Sequence, residues 1–199
     1  MLTIALPKGR IAEETLDKFE KAFGEKFIFE DRKLILEKAG FRFLNVRNQD
    51  VPTYVMHGAA DLGVVGLDVL EEKEYDLIKL LDLQLGKCKV AFGLRKGEEL
   101  DFNKSKITIA TKHEVIAKKF FEQKAMAVEI IKLYGSIELA PLVGLCDCIV
   151  DIVETGETMK QNGLEIGHTI MESSAHLIAN KNSFYAKKDL ILDLKERIE

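Results

Sequence analysis

Apolar residues recur along this chain in two rhythms. Short apolar runs at residues 2–6, 61–66, 107–110 and 148–153 read as buried strands. Between them lie segments with a helical period. Residues 11–23 place Ile11, Thr15, Leu16, Phe19, Ala22 and Phe23 on one face. The pattern predicts a short helix over 34–40 that ends at Gly40, then a strand over 41–47. Asp50 is placed to cap a helix reaching about Gly58, with Pro52 tolerated in its first turn. Leu67 and Asp68 open another helix, and 76–83 reads as a strand. Further strands are predicted at 87–94, 128–133, 165–171 and 175–179. Helices are predicted at 114–123, with Ile116, Ala117 and Phe120 inward, at 138–145, with Pro141 in the first turn, and at 159–162. A terminal amphipathic helix over 189–198 presents Leu190, Ile191, Leu194 and Ile198. Alternation of strand and helix argues for an α/β fold with a parallel-type sheet covered by helices. Two halves are expected, 1–87 with 181–199 and 88–180. Two crossing strands would form a hinge, with a ligand cleft between the lobes.

Composition narrows the class. With 47% hydrophobic and 31% charged residues in 199, the chain has an ordinary globular balance and enough length for two cores. Its apolar runs fall far short of the roughly 18–20 residues a membrane span needs. The first residues enter a strand at once, which argues against a signal peptide and for a cytoplasmic protein. Cys88, Cys146 and Cys148 are too few, and odd in number, for a disulfide framework. No second Cys or His pair lies at ligand spacing from Cys146 and Cys148, so no structural zinc and no other protein-held metal is expected. A net charge of −4 argues against a nucleic-acid surface. It leaves room for a small anionic substrate, because local cations or Mg²⁺ can reverse the potential inside a cleft.

Two stretches carry chemistry. The strand ending Cys148-Ile149-Val150-Asp151-Ile152-Val153 passes through Glu154 into Thr155-Gly156-Glu157-Thr158. A strand that ends in a glycine turn before a helix collects free backbone N–H groups in a concavity that suits phosphate. Thr155 and Thr158 add hydroxyl donors. Asp151 and Glu154 would repel a phosphate but can accept hydrogen bonds from sugar hydroxyls beside it. Together these residues point to a ribose 5-phosphate; the alternative is an ordinary strand–turn–helix. The second stretch is Leu6-Pro7-Lys8-Gly9-Arg10, again strand, glycine turn and helix. Lys8 and Arg10 are there either as solvated charges or as anion ligands.

Taken in order, the motifs resemble those of the ATP phosphoribosyltransferase family. Its signature of a Glu, a Gly six residues on, a branched aliphatic, an Asp and Thr-Gly-x-Thr is matched by Glu138, Gly144, Ile149, Asp151, Thr155, Gly156 and Thr158. Cys146 stands where Ser, Ala or Gly is usual. The segments 6–10, 47–52, 61–66, 86–88 and 110–112 are also similar to family stretches, so the resemblance spans nearly the whole chain.

The resemblance implies a two-lobed fold like the type II periplasmic binding proteins and the condensation of ATP with 5-phosphoribosyl 1-pyrophosphate, with Mg²⁺ accompanying the substrates. It assigns the 5-phosphate to Thr155, Gly156, Glu157 and Thr158, and the ribose hydroxyls to Asp151 and Glu138, near Glu154. Lys8, Arg32 and Arg47 become candidates for the pyrophosphate and triphosphate charge, with Gly9 and Arg10 beside them; Arg32 could serve a neighbouring subunit. It further implies the short catalytic form, as a homodimer that joins a regulatory subunit related to histidyl-tRNA synthetase. His57, His113, His168 and His176 receive no catalytic role. Two rivals remain: a solute-binding module of the same fold, and a different phosphoribosyltransferase.

Overall fold

The computed structural model describes all residues, 1–199. In chain order the elements are β1 (Leu2–Pro7), α1 (Arg10–Phe23), β2 (Ile35–Lys38), β3 (Phe41–Val46), a 3-10 turn (Asn48–Asp50), α2 (Val51–Met56), β4 (Leu62–Gly66), α3 (Leu67–Lys73) and β5 (Ile78–Arg95). They continue with β6 (Ile107–Thr111), α4 (Glu114–Glu122), β7 (Val128–Lys132), α5 (Leu139–Leu142), β8 (Cys148–Val153), α6 (Glu157–Gln161), β9 (Leu164–Ala179), α7 (Lys181–Ala186) and α8 (Lys188–Ile198). Two compact units result, Met1–Gly86 with Ser174–Glu199, and Lys87–Ser173. The return passage falls earlier than residues 180–181, because Ala175 to Ala179 pair antiparallel with Gly66 to Leu62 of β4.

In the first unit the strand order is β2-β3-β1-β4-β9. β1 runs parallel to β3 and β4, whereas β2 and β9 are antiparallel to their neighbours. The sheet is therefore mixed rather than parallel throughout. α1 buries Ala12, Thr15, Leu16 and Phe19 against it. Phe19 is fully enclosed and meets Phe41 and Phe43 edge-on, at centroid distances of 5.2 and 5.1 Å. Edge-on packing sets the positive rim of one ring against the negative face of another.

The helix expected at 34–40 is instead the strand β2. Ala39 and Gly40 have φ of +51° and +80°, and Lys38 pairs with Phe41 across them. Two consecutive left-handed residues make the tight hairpin turn that matches strand twist. Pairing with β3 overrides the helical propensity of Leu36-Glu37-Lys38-Ala39. The strands expected at 76–83 and 87–94 are one strand, β5, interrupted locally by positive φ at Gln84 and Gly86. Those at 165–171 and 175–179 likewise join as β9. α7 has no counterpart in the sequence pattern; Asn180 caps it by accepting the Ser183 amide at 3.0 Å. In α8, Leu190 faces solvent while Ile191, Leu194 and Ile198 are buried.

In the second unit the order is β5-β8-β6-β7, with β6 parallel to both neighbours and β5 antiparallel to β8. Successive residues of β8 serve opposite faces. Cys148 and Val150 join Phe92, Ile109 and Phe121 in one core, while Ile149 and Val153 join Ala110, Met159 and Leu164 in the other. α4 buries Ile116, Ala117 and Phe121, leaving Phe120 half-buried. α5 is a single turn, shorter than the expected 138–145, and Gly144 follows it at φ +75°.

Candidate functional site

β6 and β8 lie side by side in parallel register, with Thr111 beside Val150. The turn leaving β6 is thereby brought next to Asp151. Thr111 Oγ1 donates to the Val150 carbonyl at 2.6 Å and accepts the His113 amide at 2.8 Å. These two bonds fasten the Thr111–His113 turn to β8. Lys112 Nζ then stands 3.0 Å from Asp151 Oδ1, and His113 Nε2 lies 3.7 Å from the same oxygen. That oxygen also accepts the Ile152 amide at 2.8 Å. His113 is almost fully buried, and the Asp151 side chain is 15% exposed.

Beyond β8 the chain turns through Glu154, Thr155 and Gly156 into α6. Gly156 has φ +81° and ψ 0°, and a Cβ there would strike Ile166. Only glycine accepts both conditions without strain. Thr155 Oγ1 accepts the Glu157 amide at 3.4 Å. Glu138 occupies the position before α5 but makes no capping bond. Its carboxylate is thus not spent on the helix end. Glu138, Asp151, Glu154, Thr155, Gly156 and Thr158 converge on a cavity of about 380 Å³, over Val153 and Met159. Glu157 faces an adjoining cavity of about 590 Å³, shared with Lys96, Lys160 and Glu165.

The strand that carries Asp151 is held firmly at its start. Asp147 accepts from Lys104 Nζ at 2.7 Å and from the Thr108 amide at 2.9 Å. Both bonds, Lys104 first, hold its carboxyl below the usual range. Burial pushes the thiols of Cys146 and Cys148 upward, so they stay protonated and make poor metal ligands. No group of three or more His, Cys, Asp or Glu side chains is placed to hold a metal ion.

The cationic candidates belong to the first unit. The Lys8 amide donates to the Val46 carbonyl at 2.8 Å, so Lys8-Gly9-Arg10 and Arg47 leave adjacent parallel strands at the same edge. Gly9, at φ +96°, precedes α1 and accepts the Ala12 amide at 3.0 Å. The Asn45 amide donates to the Leu34 carbonyl at 2.8 Å, which brings the turn carrying Arg32 to that edge as well. Lys8, Arg32 and Arg47 are exposed. Arg10 is tied to Glu14 at 3.4 Å, and Glu14 accepts the Gly86 amide at 3.2 Å. Its guanidinium therefore has a structural partner.

Lys112 and His113 are the residues at this site that reasoning from sequence missed. Thr111-Lys112 lies within a stretch similar to the family. Nothing in the linear sequence, however, sets it beside Asp151, nearly forty positions later.

Comparison with known proteins adds a second line. The family model for ATP phosphoribosyltransferase, HisG, matches residues 47–199. An ATP phosphoribosyltransferase from Sulfurovum sp. is 68% identical over 199 residues, covering 100% of this chain and 97% of that one. Among solved structures, the ATP phosphoribosyl transferase (HisG:HisZ) complex from Thermotoga maritima aligns with a TM-score of 0.84 and 37% identity, over 100% of this chain and 96% of the other. The periplasmic aliphatic sulphonate binding protein of Escherichia coli aligns with a TM-score of 0.65 at 12% identity, over 99% of this chain and 67% of that one. This last likeness is one of fold alone, and it matches the two-lobed arrangement expected from the sequence.

Proposed function

The chain belongs to the ATP phosphoribosyltransferase family, and on that premise we propose how its residues divide the reaction. The family's reaction is the first step of histidine biosynthesis. Adenine N1 of ATP attacks the anomeric carbon of 5-phosphoribosyl 1-pyrophosphate. A C–N bond forms, the C–O bond to pyrophosphate breaks with inversion, and phosphoribosyl-ATP and pyrophosphate result.

In this reading the backbone and hydroxyls of Thr155, Gly156, Glu157 and Thr158 grip the 5-phosphate. Asp151 and Glu138 accept from the ribose hydroxyls, with Glu154 beside them. Their charge favours the oxocarbenium character of the sugar as the leaving group departs. Lys8, Arg32 and Arg47 meet the pyrophosphate and triphosphate, where a guanidinium fork fits phosphate oxygens better than an ammonium does. Gly9 lets the backbone approach the anion, and Arg10, tied to Glu14, supports that turn. No protein base is needed, because adenine N1 is itself the nucleophile.

Magnesium fits the donor set. Hard carboxylate oxygens line the cavity, no three-ligand cage is present, and Mg²⁺ is commonly bound through one or two carboxylates plus substrate phosphates. When bound, it would neutralise charge on the pyrophosphate.

The Thermotoga maritima complex supports a partner of the HisZ kind; we infer that this partner is a histidyl-tRNA-synthetase-like regulatory subunit and that this chain joins it as a homodimer. Near-complete mutual coverage with the relatives favours the short form. No helix is long and apolar enough to cross a membrane, and the reading implies a cytoplasmic enzyme.

The observation that carries this division is the convergence of Glu138, Asp151, Glu154, Thr155, Gly156 and Thr158 on one cavity. The test mixes the purified chain with ATP, phosphoribosyl pyrophosphate and Mg²⁺ and follows phosphoribosyl-ATP by ultraviolet absorbance. Product that requires both substrates is expected. No product, with and without the regulatory subunit, would favour a binding module of the same fold.

A further inference from the structure

The cavity assigned to the ribose 5-phosphate has three carboxylates in its lining, Glu138, Asp151 and Glu154, and no Lys or Arg. A phosphate approaching it meets like charge. The turn into α6 offers only partial positive charge from its amides. A full cation at this edge of the sheet would offset that repulsion, and Lys96 and Lys160 line the adjoining cavity instead.

Lys112 is placed to supply it. Its ammonium lies 3.0 Å from Asp151 Oδ1, and its side chain is 39% exposed. The turn beneath it is fixed by the bonds of Thr111 to Val150 and His113, so the Cα is anchored while the four-carbon stem is free to swing. Lys132, at the end of neighbouring β7, is already held by Glu114 at 2.8 Å. Asp151 cannot offer Oδ1 to a ribose hydroxyl while Lys112 and the Ile152 amide both occupy it.

We infer that Lys112 is a substrate-binding residue that changes partners. In the free protein its ammonium neutralises Asp151. When the sugar phosphate enters, the ribose hydroxyls take the carboxylate and Lys112 moves onto a phosphate oxygen of the substrate. The exchange keeps both charges paired in each state. This inference rests on the ribose-phosphate reading of the cavity.

The test uses the full chain and the variants Lys112→Met, Lys112→Arg and Asp151→Asn. Binding of phosphoribosyl pyrophosphate, ribose 5-phosphate, pyrophosphate and ATP is measured by calorimetry. Lys112→Met should weaken phosphoribosyl pyrophosphate about ten- to a hundredfold, the cost of one lost charged hydrogen bond. Its thermal midpoint and ATP affinity should hold, and Lys112→Arg should recover most of the loss. Weakening of ribose 5-phosphate alone would place the ammonium on the 5-phosphate, and weakening of pyrophosphate alone would place it on the leaving group. Unchanged affinity in Lys112→Met, with a loss in Asp151→Asn, would overturn the role of Lys112 and spare the site. Unchanged affinity in Asp151→Asn as well would remove the ribose-phosphate reading itself. Equal losses in the Met and Arg variants would make Lys112 a prop for Asp151 and overturn the exchange.

Discussion

Lys187 Nζ lies 2.8 Å from each oxygen of the Asp61 carboxylate, which also accepts the Thr3 amide at 2.9 Å. This cluster fastens β1, the start of β4 and the junction of α7 with α8 within the first unit. Burial alone would raise the Asp61 carboxyl. The bonds from Lys187, Thr3 and Ser183, with the charge of Lys187, outweigh it and hold the group below its ordinary value.

The consequence is an acid-sensitive fold. The unfolded Asp61 takes up its proton near the ordinary value of about 3.9, whereas the folded one does so only at lower pH. Its contribution is thus complete above the unfolded value and is lost as pH falls through the folded one. Asp61→Asn should lower stability at neutral pH by about 1–3 kcal/mol and flatten the acid limb. Urea unfolding at neutral and acid pH would measure both. Wild-type and variant curves that stay parallel across the acid range would remove Asp61 as the titrating group.

Gly156 makes a sharper case for the loop. Gly156→Ala forces a side chain into φ +81° and against Ile166. The backbone share costs about 1–2 kcal/mol, and the clash adds to it. The KM for phosphoribosyl pyrophosphate should rise, because the amides of the turn lose their common aim. Adding Ile166→Ala should return the steric share and leave the backbone share. Full rescue by the second change would mean that the left-handed conformation is not required.

Legibility in the sequence depends on separation along the chain. The Asp151–Thr158 turn can be read because its carboxylate, hydroxyls and glycine are contiguous, so local geometry alone assembles them. The edge formed by Lys8 and Arg47 can be guessed from two strand ends, but it needs the β1–β3 register to be drawn. Lys112 and His113 are invisible as neighbours of Asp151, since only the parallel pairing of β6 with β8 joins them. The hairpin at Ala39-Gly40 fails for a different reason. A glycine after a run of good helix formers is an ordinary helix ending, and only the partner strand decides otherwise. At 84–87, the positive φ of Gln84 and Gly86 does mark a local disturbance. The break expected there is therefore real chemistry in another form, an irregularity within one strand.

Asp151→Ala tests the centre of the site. The variant should keep its fold, since Asp151 is joined chiefly to an exposed lysine, the histidine beside it and a local amide. Its kcat/KM should fall by about two orders of magnitude, as for a contact that strengthens in the transition state. Circular dichroism and steady-state rates would be compared on the same preparation. Turnover near the wild-type value would take Asp151 out of the reaction.

Arg47 tests departure of the leaving group. It is exposed at the end of β3, next to the strand end that carries Lys8, so its removal disturbs little of the core. A guanidinium that meets pyrophosphate oxygens gains most as the C–O bond breaks and charge accumulates on them. Arg47→Ala should therefore raise the barrier to the chemical step by about 2–4 kcal/mol. Arg47→Lys should recover only part of the rate, because a point charge cannot reproduce the two-pronged fork. Single-turnover measurement of pyrophosphate formation isolates that step from product release. A loss confined to KM would instead assign Arg47 to ground-state binding, and an unchanged single-turnover rate would exclude it from stabilising the leaving group.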